Sequence, residues 1–399
     1  MRVLYVASAI EVGSTSGGST HVNEVACGLR ALGHDVLVVA RALPGEGRGQ
    51  QPRMLDECAV PVRVVRPRKE LALLGLGVVS KAIRDFRPDV VMERFYNFAG
   101  AGVWLAHRRG IPSLLEVNAP LIDPPNSAKS KLDRLLLGRM RWWAVRQAKW
   151  SAAIVTPLNT TVPPEAPRKK IHELPWGANV TRFDPQVRAT RREELDALAE
   201  EYKLDRSTPV AVFLGSFRAW HGVAGFVEVA RRLIASGSKL SFLAIGGGPE
   251  LATFTQRSAE WGLPEGRFVF TGPQPHDRVP LLLGLADIGV APFDLSVHAP
   301  LRTFGFYWSP LKVFEYMAMG LPVITVDVPP LNSIVREGQE GLLYPSGDVD
   351  ALKTALSKLE GDAEMRRRMG ASARERVVEH YSWQAHCEAL DGILREIAR

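Results

Sequence analysis

The chain has 399 residues, more than one ordinary hydrophobic core holds, so two domains are expected. Its 46% hydrophobic and 23% charged residues are typical of a soluble globular protein. The net charge of +7 is unevenly distributed, because residues 1–185 carry 26 basic and 16 acidic side chains and the remainder carries 24 and 27.

Cysteine usage and hydropathy indicate a protein of a reducing cytoplasm. Cys27, Cys58 and Cys387 are too few and too scattered for a disulfide framework, and none has a Cys or His at metal-ligand spacing. The first residues are typical of a strand rather than a signal peptide, and the apolar stretch Leu71–Val79 is far shorter than the ~20 residues of a membrane span. No basic run is interleaved with stacking aromatic residues, which disfavours nucleic acid as a partner.

Alternating strands and helices are predicted along the first half of the chain. A glycine-rich loop, Gly13–Gly18, and a helical pattern from His21 to Leu32 connect the first two strands. This order of strand, loop, helix and strand is typical of a parallel sheet, and irregular Pro-rich sequence from Thr156 to Pro185 ends this half. Strands are predicted at Val3–Ala7, Val36–Ala40, Val62–Val65, Val90–Met92, Ser113–Val117 and Ala152–Thr156.

The second half repeats the alternation after a charged helix at Arg191–Leu204. The fold class is therefore α/β, with two doubly wound domains. In such sheets ligands bind at the carboxyl ends of the strands, so the expected site is the cleft between the domains. The predicted strands are Val210–Leu214, Leu240–Ile245, Arg267–Phe270, Ile288–Ala291 and Pro322–Val326, and the predicted helices are Val223–Ser236, Glu250–Trp261, Arg278–Gly284, Asp350–Leu359, Glu364–His380 and about Ser382–Ala398.

The loop Gly13–Thr20 follows the first strand. It resembles a P-loop, but Ser19 stands where the Lys is expected, and the loop lacks the G-x-G-x-x-G spacing of a dinucleotide site. Ser19 or Thr20 can cap the next helix. The second strand ends in Arg41, which keeps an NADP site open as an alternative, together with a tight turn that binds nothing.

The loop Gly215–Gly222 follows the first strand of the second domain. It places Ser216, Arg218 and His221 where a strand-end loop meets phosphate. Three glycines in Gly246–Pro249 after the next strand indicate a close approach of a ligand or a helix. A surface loop with an incidental arginine is the alternative.

The segment Ser309–Val323 predicts a short helix followed by a buried strand. Ser309 suits the N-cap, and Pro310 suits the first helical position. Gly320 fits just past the last turn, and Pro322 prevents the helix from continuing.

This helix has the features of a nucleotide-sugar site. Free N–H groups and the partial positive charge of a helix N-terminus attract phosphate. Lys312 adds a full charge in the same turn, and Glu315, one turn later, offers a carboxylate to sugar hydroxyls.

Two further patterns each allow two interpretations. Asp348 and Asp350 match a D-x-D metal–diphosphate motif, but Asp348 directly precedes a helix and is more simply an N-cap. The basic segment Lys129–Lys149 is either an interfacial helix on an anionic membrane or a helix packed on the sheet with a solvated basic face. Its apolar face comprises Leu132, Leu135, Leu136, Met140 and Trp143.

Together these segments resemble the family 4 glycosyltransferases of the GT-B fold over nearly the whole chain. The resemblance implies transfer of a hexose-type sugar, with retention, from a nucleotide-sugar to a glycan, lipid-linked or small-molecule acceptor. It implies an acceptor domain at residues 1–185, a donor domain at 186–381 and a last helix, 382–399, that crosses back to the first domain. The segments are Ser309–Val323, Gly341–Asp348, Gly17-Gly18, Gly215–Gly222, Gly246–Pro249, Phe270–Gly272 and Ser382-Trp383.

The resemblance also implies roles for individual residues. Glu315 matches a glutamate that binds the nucleotide ribose, and Gln274 lies near the position where the base is read. No cofactor or metal ion is implied, because fixed amides and cations stabilise the departing phosphate. The implied donor-binding residues are Gly17, Gly18, Ser216, Arg218, His221, Gln274, Ser309, Leu311, Lys312 and Glu315, and the implied catalytic residues are Asn118, Glu116, Arg218 and Lys312.

The sequence departs from the family pattern in three places. Tyr307 stands where the first glutamate of a pair is expected. Ser216 and His221 replace the usual Arg and Lys of the phosphate loop, while Arg218 and Lys312 supply cations nearby. Asn118 ends the strand where many members have a His that contacts the donor sugar.

Three other functional classes remain open at this level: a nucleotide-sugar epimerase of the same fold, an NADP-dependent oxidoreductase and a non-catalytic nucleotide-sugar-binding homologue. The expected location is the cytoplasm, with peripheral contact to the inner face of an anionic membrane through the basic helix.

Overall fold

The computed structural model describes residues 1–14, 16–41, 54–55, 58–125 and 127–399, so Thr15 of the first glycine loop lies outside the description. The chain forms two compact units. Unit 1 comprises Met1–Trp176, Tyr307–Ser309 and Trp383–Arg399, and unit 2 comprises Gly177–Phe306 and Pro310–Ser382.

The chain enters unit 2 at Gly177, earlier than the boundary at residue 185 inferred from the sequence. Arg374 accounts for the difference, because its guanidinium donates hydrogen bonds to the carbonyls of Val180 and Phe183 and thereby binds this irregular segment to unit 2.

Unit 1 is built on a sheet with helices between its strands. Its strands are β1 (Arg2–Glu11), β2 (Asp35–Arg41), β3 (Met54–Leu55), β4 (Val60–Val65), β5 (Val90–Arg94), β6 (Ser113–Glu116), β7 (Ala153–Thr156) and β8 (Ile171–Glu173). In the described residues the strand order is β3-β4-β2-β1-β5-β6-β7-β8, and all neighbours except β3 and β4 are parallel. β1 and β2 read as continuous apolar runs because the central strands of a parallel sheet are buried on both faces. β3 and β8 were not predicted, because strands this short give no periodic pattern.

The helices of unit 1 differ from the sequence predictions in two places. They are α1 (Gly17–Ala31), α2 (Leu76–Phe86), α3 (Ala101–Arg109), α4 (Ala128–Leu135) and α5 (Arg139–Trp150). α1 begins at Gly17 and is capped by Ser16, whose hydroxyl accepts from the Ser19 amide; Ser19 and Thr20 are therefore not its caps. The single helix predicted at Lys129–Lys149 is two helices, because Leu137 and Gly138 both adopt left-handed backbone conformations between them.

Unit 2 repeats the doubly wound pattern. Its strands are β9 (Val210–Leu214), β10 (Ser241–Ile245), β11 (Phe268–Gly272), β12 (Ile288–Ala291), β13 (Val323–Val326) and β14 (Gly341–Tyr344). Within the described chain they form a parallel sheet in the order β11-β10-β9-β12-β13-β14. The Gly341–Asp348 turn implied by the resemblance therefore begins as an edge strand, whose first residue must be small because a Cβ on Gly341 would lie 1.8 Å from the Val323 carbonyl oxygen.

Helices cover this second sheet. They are α6 (Val187–Thr190), α7 (Arg192–Glu201), α8 (Val223–Ala235), α9 (Leu251–Glu260), α10 (Val279–Gly284), α11 (Ala299–Phe304), α12 (Leu311–Ala318), α13 (Leu331–Ile334), α14 (Val349–Gly361) and α15 (Ala363–His380). Asp348 caps α14 by accepting from the Ala351 amide, which supports the N-cap interpretation of the D-x-D pattern.

The last helix, α16 (Trp383–Ile397), belongs to unit 1 and packs on α1. A Cβ on Gly28 would lie 2.3 Å from the Cys387 sulfur, so the two helices meet closely at this glycine. His34 Nε2 lies 2.8 Å from Asp391 Oδ1 on the same side. The return of the C-terminus therefore completes the core around α1.

The cysteines differ from the sequence expectation. Cys27 on α1 and Cys58, between β3 and β4, form a disulfide, whereas Cys387 is a buried free thiol. The pairing was missed because the two residues are 31 positions apart and meet only when α1 packs beside β4. Their spacing therefore does not exclude a single bridge.

Candidate functional site

The side chain of Lys312 is the centre of a cationic site in unit 2. It lies on the first turn of α12, is only 7% exposed and forms no ion pair among the described residues. Its ammonium lies 4.2 Å from the ring centre of Phe213 and 5.0 Å from that of Phe293. Burial lowers the Lys312 pKa to about 7, although the charge of Glu315 opposes the shift. An anion entering here would gain a buried, unpaired cation as its partner.

His221 extends this cationic site. Lys312 Nζ lies 3.4 Å from His221 Nδ1, which therefore acts as the acceptor and leaves the proton on Nε2. Burial, Lys312 and Arg218 lower the His221 pKa to about 2, so its ring is neutral. Arg218 itself is exposed, with its guanidinium 5.2 Å from the ring centre of Trp220. Ser216 lies on the same loop, and its carbonyl accepts from the Arg218 amide at 2.9 Å.

The loop between β9 and α8 holds these residues close to Lys312. Gly215 permits the approach, because a Cβ there would lie 3.0 Å from Lys312 Nζ. Gly222 has φ of +73°, and a Cβ on it would lie 1.5 Å from the Pro292 carbonyl oxygen. The loop is thus packed against the end of β12 and requires glycine at both positions.

The N-terminus of α12 differs in detail from the prediction. Pro310 occupies the N-cap without a side-chain cap, and Leu311 is the first helical residue. Ser309 is not the cap, because its hydroxyl accepts from the Trp176 amide at 3.0 Å and the residue belongs to unit 1. The end of the helix is as predicted: Gly320 follows the last turn with φ of +67°.

Glu315 offers a carboxylate one turn beyond Lys312. Its side chain is 13% exposed, and it accepts no hydrogen bond from the described residues. The nearest cationic or imidazole nitrogen is His276 Nε2, at 3.8 Å from Oε1. A carboxylate that is nearly buried but not hydrogen-bonded is suited to a pair of hydroxyl donors. Gln274 lies on the loop after β11, where its amide donates to the Thr271 carbonyl at 2.8 Å.

Glu116 and Asn118 lie in a buried polar network of unit 1. Glu116 Oε2 accepts from the Tyr5 hydroxyl at 2.6 Å, and Oε1 accepts from Arg94 at 2.9 Å and from the Asn118 amide. The Asn118 carbonyl oxygen accepts from Trp176 Nε1 at 2.7 Å. Glu116 is therefore held by three internal donors, one of which is the Asn118 amide.

Sequence reasoning missed His21, although it is central to the same network. Arg94 donates to its Nδ1 at 2.9 Å, and the rings of Trp176 and Trp383 lie 4.4 and 5.3 Å from its own. Burial, Arg94 and His386 hold the His21 pKa well below its usual range. Gly17 and Gly18 form the first turn of the same helix, where a Cβ on Gly18 would lie 3.2 Å from Ile10 Cδ1. Nothing in the sequence singled out His21, because a histidine within a helical pattern does not by itself indicate a polar network.

Tyr307 belongs to unit 1 and is buried. Burial, with a smaller contribution from the charge of Asp123, raises the pKa of its phenol, which stays protonated. A neutral hydroxyl therefore stands where the resemblance leads one to expect a carboxylate.

The basic segment presents apolar side chains to solvent. Leu135 is 78% exposed, Leu137 87% and Trp142 55%, and the Arg146 guanidinium lies 5.2 Å from the Trp142 ring centre. Among the described helices, none combines the length and the apolar character needed to cross a bilayer. In the same residues, no group of three or more His, Cys, Asp or Glu side chains is arranged to hold a metal ion.

Comparison with known proteins adds family information. Residues 196–376 match the family described as Glycosyl transferases group 1, and residues 16–162 match the Glycosyl transferase 4-like domain. An alpha-D-kanosaminyltransferase of Streptomyces kanamyceticus is 29% identical over 64% of this chain and 63% of its own length. A 2-deoxystreptamine N-acetyl-D-glucosaminyltransferase of Streptomyces fradiae is 27% identical over 93% of this chain and 91% of its own.

Solved structures share the fold at low sequence identity. HepE from Anabaena, in complex with UDP, superposes with a TM-score of 0.74 at 15% identity, covering 99% of this chain and 100% of that one. Sucrose-phosphate synthase from Thermosynechococcus elongatus gives 0.73 at 18% identity, covering 100% of this chain and 99% of that one. The predicted α/β GT-B fold is confirmed.

Proposed function

Because the chain belongs to the family 4 type of glycosyltransferases, we propose that it moves a hexose from a nucleoside diphosphate sugar to an acceptor hydroxyl, with retention at the anomeric carbon and without a metal ion. The observation that carries the proposal is Lys312, a buried cation without an ion-pair partner in the described chain. Glu315 lies one turn further along the same helix, so one element offers a phosphate partner and a ribose partner.

Charge builds up on the departing diphosphate during the transfer. Lys312, the Nε2–H of His221 and the uncapped start of α12 stabilise that charge with donors that are already in place. A hydrogen bond to such a charged group contributes roughly 1.5–3 kcal/mol. The leaving phosphate takes the proton of the acceptor hydroxyl, so no protein side chain acts as the base. Arg218 reaches the outer phosphate from its exposed loop position.

The relatives support particular first choices of donor and acceptor. HepE, whose fold is similar, binds UDP and UDP-glucose, so UDP-linked hexoses are the first donors to test. Two relatives are named for 2-deoxystreptamine, which favours a small polyhydroxylated cyclitol or sugar as acceptor. In unit 1, Asn118, held by Glu116 and Trp176, is the amide that positions the sugar.

A peripheral contact with an anionic membrane is the second part of the proposal. The exposed leucines at the end of α4 and the basic side chains around them support it, because such a surface pairs apolar insertion with attraction to anionic lipid.

The decisive experiment combines nucleotide binding with turnover. Thermal unfolding of the protein is followed with UDP, GDP, ADP and TDP, and release of the stabilising nucleotide from its hexose conjugate is then measured with 2-deoxystreptamine and with myo-inositol. We expect Lys312→Met to weaken nucleotide binding by about tenfold to a hundredfold, since it removes one charged partner. Lys358→Met, an exposed lysine of the same unit, is the control.

Three results would contradict the proposal: unchanged turnover in Lys312→Met and Glu315→Gln, loss of turnover on chelation of divalent ions, or inversion of the anomeric configuration in the product. Isomerisation of the nucleotide-sugar without any acceptor would favour an epimerase instead.

A further inference from the structure

Arg182 and His276 form a polar pair beside Glu315. Arg182 Nη1 lies 2.9 Å from His276 Nδ1, and His276 Nε2 lies 3.8 Å from Glu315 Oε1. All three side chains belong to unit 2, on the segment after Gly177, the loop after β11 and α12 respectively. Neither Arg182 nor His276 belongs to a motif that the sequence indicated.

The contact with Arg182 determines which nitrogen of His276 carries the proton. A guanidinium has only donors, so His276 Nδ1 must accept and the proton must reside on Nε2. The Nε2–H group is therefore the one on the side of the Glu315 carboxylate. Because Arg182 holds Nδ1, the direction in which the Nε2–H group faces the carboxylate is fixed.

Arg374 fixes this pair relative to the helix that bears Glu315. Its Nη1 donates to the carbonyls of Phe183 and Ala318, both at 2.8 Å, and its Nη2 donates to the Val180 carbonyl at 3.0 Å. Phe183 and Val180 flank Arg182, whereas Ala318 is the last residue of α12. One guanidinium thus joins the segment that bears Arg182 to the end of α12.

We propose that Arg182 and His276 are positioning residues that orient the Glu315 carboxylate toward the ribose 2′- and 3′-hydroxyls of the nucleotide. The inference rests on the proposed function for the identity of the ligand. It adds that ribose recognition depends on two side chains that need not touch the nucleotide. The nearly buried Glu315 accepts no hydrogen bond from the described residues, so the neighbouring His276 Nε2–H is the group that favours one rotamer of its side chain.

The test compares each nucleotide with its 2′-deoxy form. Dissociation constants for UDP and 2′-deoxy-UDP, or for GDP or ADP and their 2′-deoxy forms if one of these binds better, are measured by calorimetry. We expect the wild type to prefer the ribonucleotide by about tenfold or more, and His276→Ala to lose most of this preference. His276→Gln, which keeps an N–H near the position of Nε2, retains part of it. Arg182→Met reduces it as well.

His380→Ala is the matched control, because His380 Nε2 also lies near a carboxylate, at 3.7 Å from Glu379, but on the surface of α15. We expect the His380→Ala variant to prefer the ribonucleotide over its 2′-deoxy form to the same extent as the wild type. Equal weakening of both nucleotides in His276→Ala, with an unchanged ratio, would overturn the positioning role and leave the proposed function standing. Absence of nucleotide binding in the wild type would overturn the proposed function and this inference together. Thermal unfolding of each variant shows whether it is folded.

Discussion

Lys312 lies at a buried position, where an unpaired ammonium lowers the stability of the fold. A lysine at such a position indicates a function. Its ammonium is buried between two phenylalanine rings and a neutral histidine, and no carboxylate pairs with it among the described residues. Burial of a cation disfavours the charged form, which is why its pKa falls to about 7. A diphosphate would restore the charge by supplying the missing partner.

The pH dependence of nucleotide binding follows from that shift. At pH values below about 7 the ammonium is already protonated in the free protein, so affinity does not depend on this group. Above about 7 a proton must be taken up on binding, because the phosphate raises the Lys312 pKa in the complex. We therefore expect the UDP association constant to fall by about tenfold per pH unit from about pH 7 to about pH 9.

Calorimetric titrations in two buffers of different ionisation enthalpy measure both the affinity and the proton uptake. Lys312→Met has no slope over this range, whereas the surface variant Lys358→Met keeps it. The same slope in Lys312→Met would assign the titration to another group.

At the scale of elements, α1 is held from several sides. The disulfide joins its Cys27 to Cys58, and α16 packs on it around Gly28. His21 on the same helix completes the network of Glu116 and Arg94. A covalent bond, helix packing and a polar network therefore all hold α1 within unit 1.

The disulfide gives a stability prediction. Closing a loop over 31 positions restricts the unfolded chain, and a bridge of that span contributes about 4 kcal/mol to the free energy of unfolding. The double variant Cys27→Ser and Cys58→Ser is expected to lose about that much free energy of unfolding, measured by denaturant titration as a lower midpoint concentration. Reductant lowers the wild type to the same level and leaves the double variant unchanged.

Cys387→Ala is the control and still responds to reductant, because Cys387 forms no bridge. A wild-type unfolding curve that does not change with reductant would show that the bridge is absent or contributes nothing.

At the scale of the whole molecule, charge is concentrated in the first half of the chain, with 26 basic and 16 acidic residues before residue 186. The exposed leucines around Leu135 and Leu137 lie in that half. We expect vesicles of phosphatidylcholine with phosphatidylglycerol to retain the protein in sedimentation, and vesicles of phosphatidylcholine alone to retain much less.

Added salt shortens the screening length, so it is expected to lower the retention of the protein by the anionic vesicles. The double variant Leu135→Glu/Leu137→Glu is expected to be retained less as well. Val378→Glu changes an exposed apolar residue of unit 2 and serves as the matched control. Equal retention by charged and uncharged vesicles would contradict the electrostatic part, and no retention at all would leave α4 as a structural helix.

The sequence predicted most of the architecture because alternating apolar runs and amphipathic helices report burial directly. Val3–Ala7 and Val210–Leu214, for example, lie within β1 and β9. It failed where length or backbone conformation decides. β3 and β8 are too short to show a periodic pattern, and the helix predicted at Lys129–Lys149 breaks at Leu137 and Gly138, whose left-handed conformations leave no mark on hydrophobic periodicity.

By itself, the sequence determined two doubly wound α/β domains, the helix that bears Lys312 and Glu315, and its end at Gly320, because each depends on neighbours along the chain. Only the tertiary structure decided that Lys312 is buried beside His221, that Ser309 bonds Trp176 instead of capping α12, and that Arg182 contacts His276. These contacts join residues about 90 to 130 positions apart, and burial, which sets the Lys312 pKa, is a property of the folded surroundings that no local pattern contains.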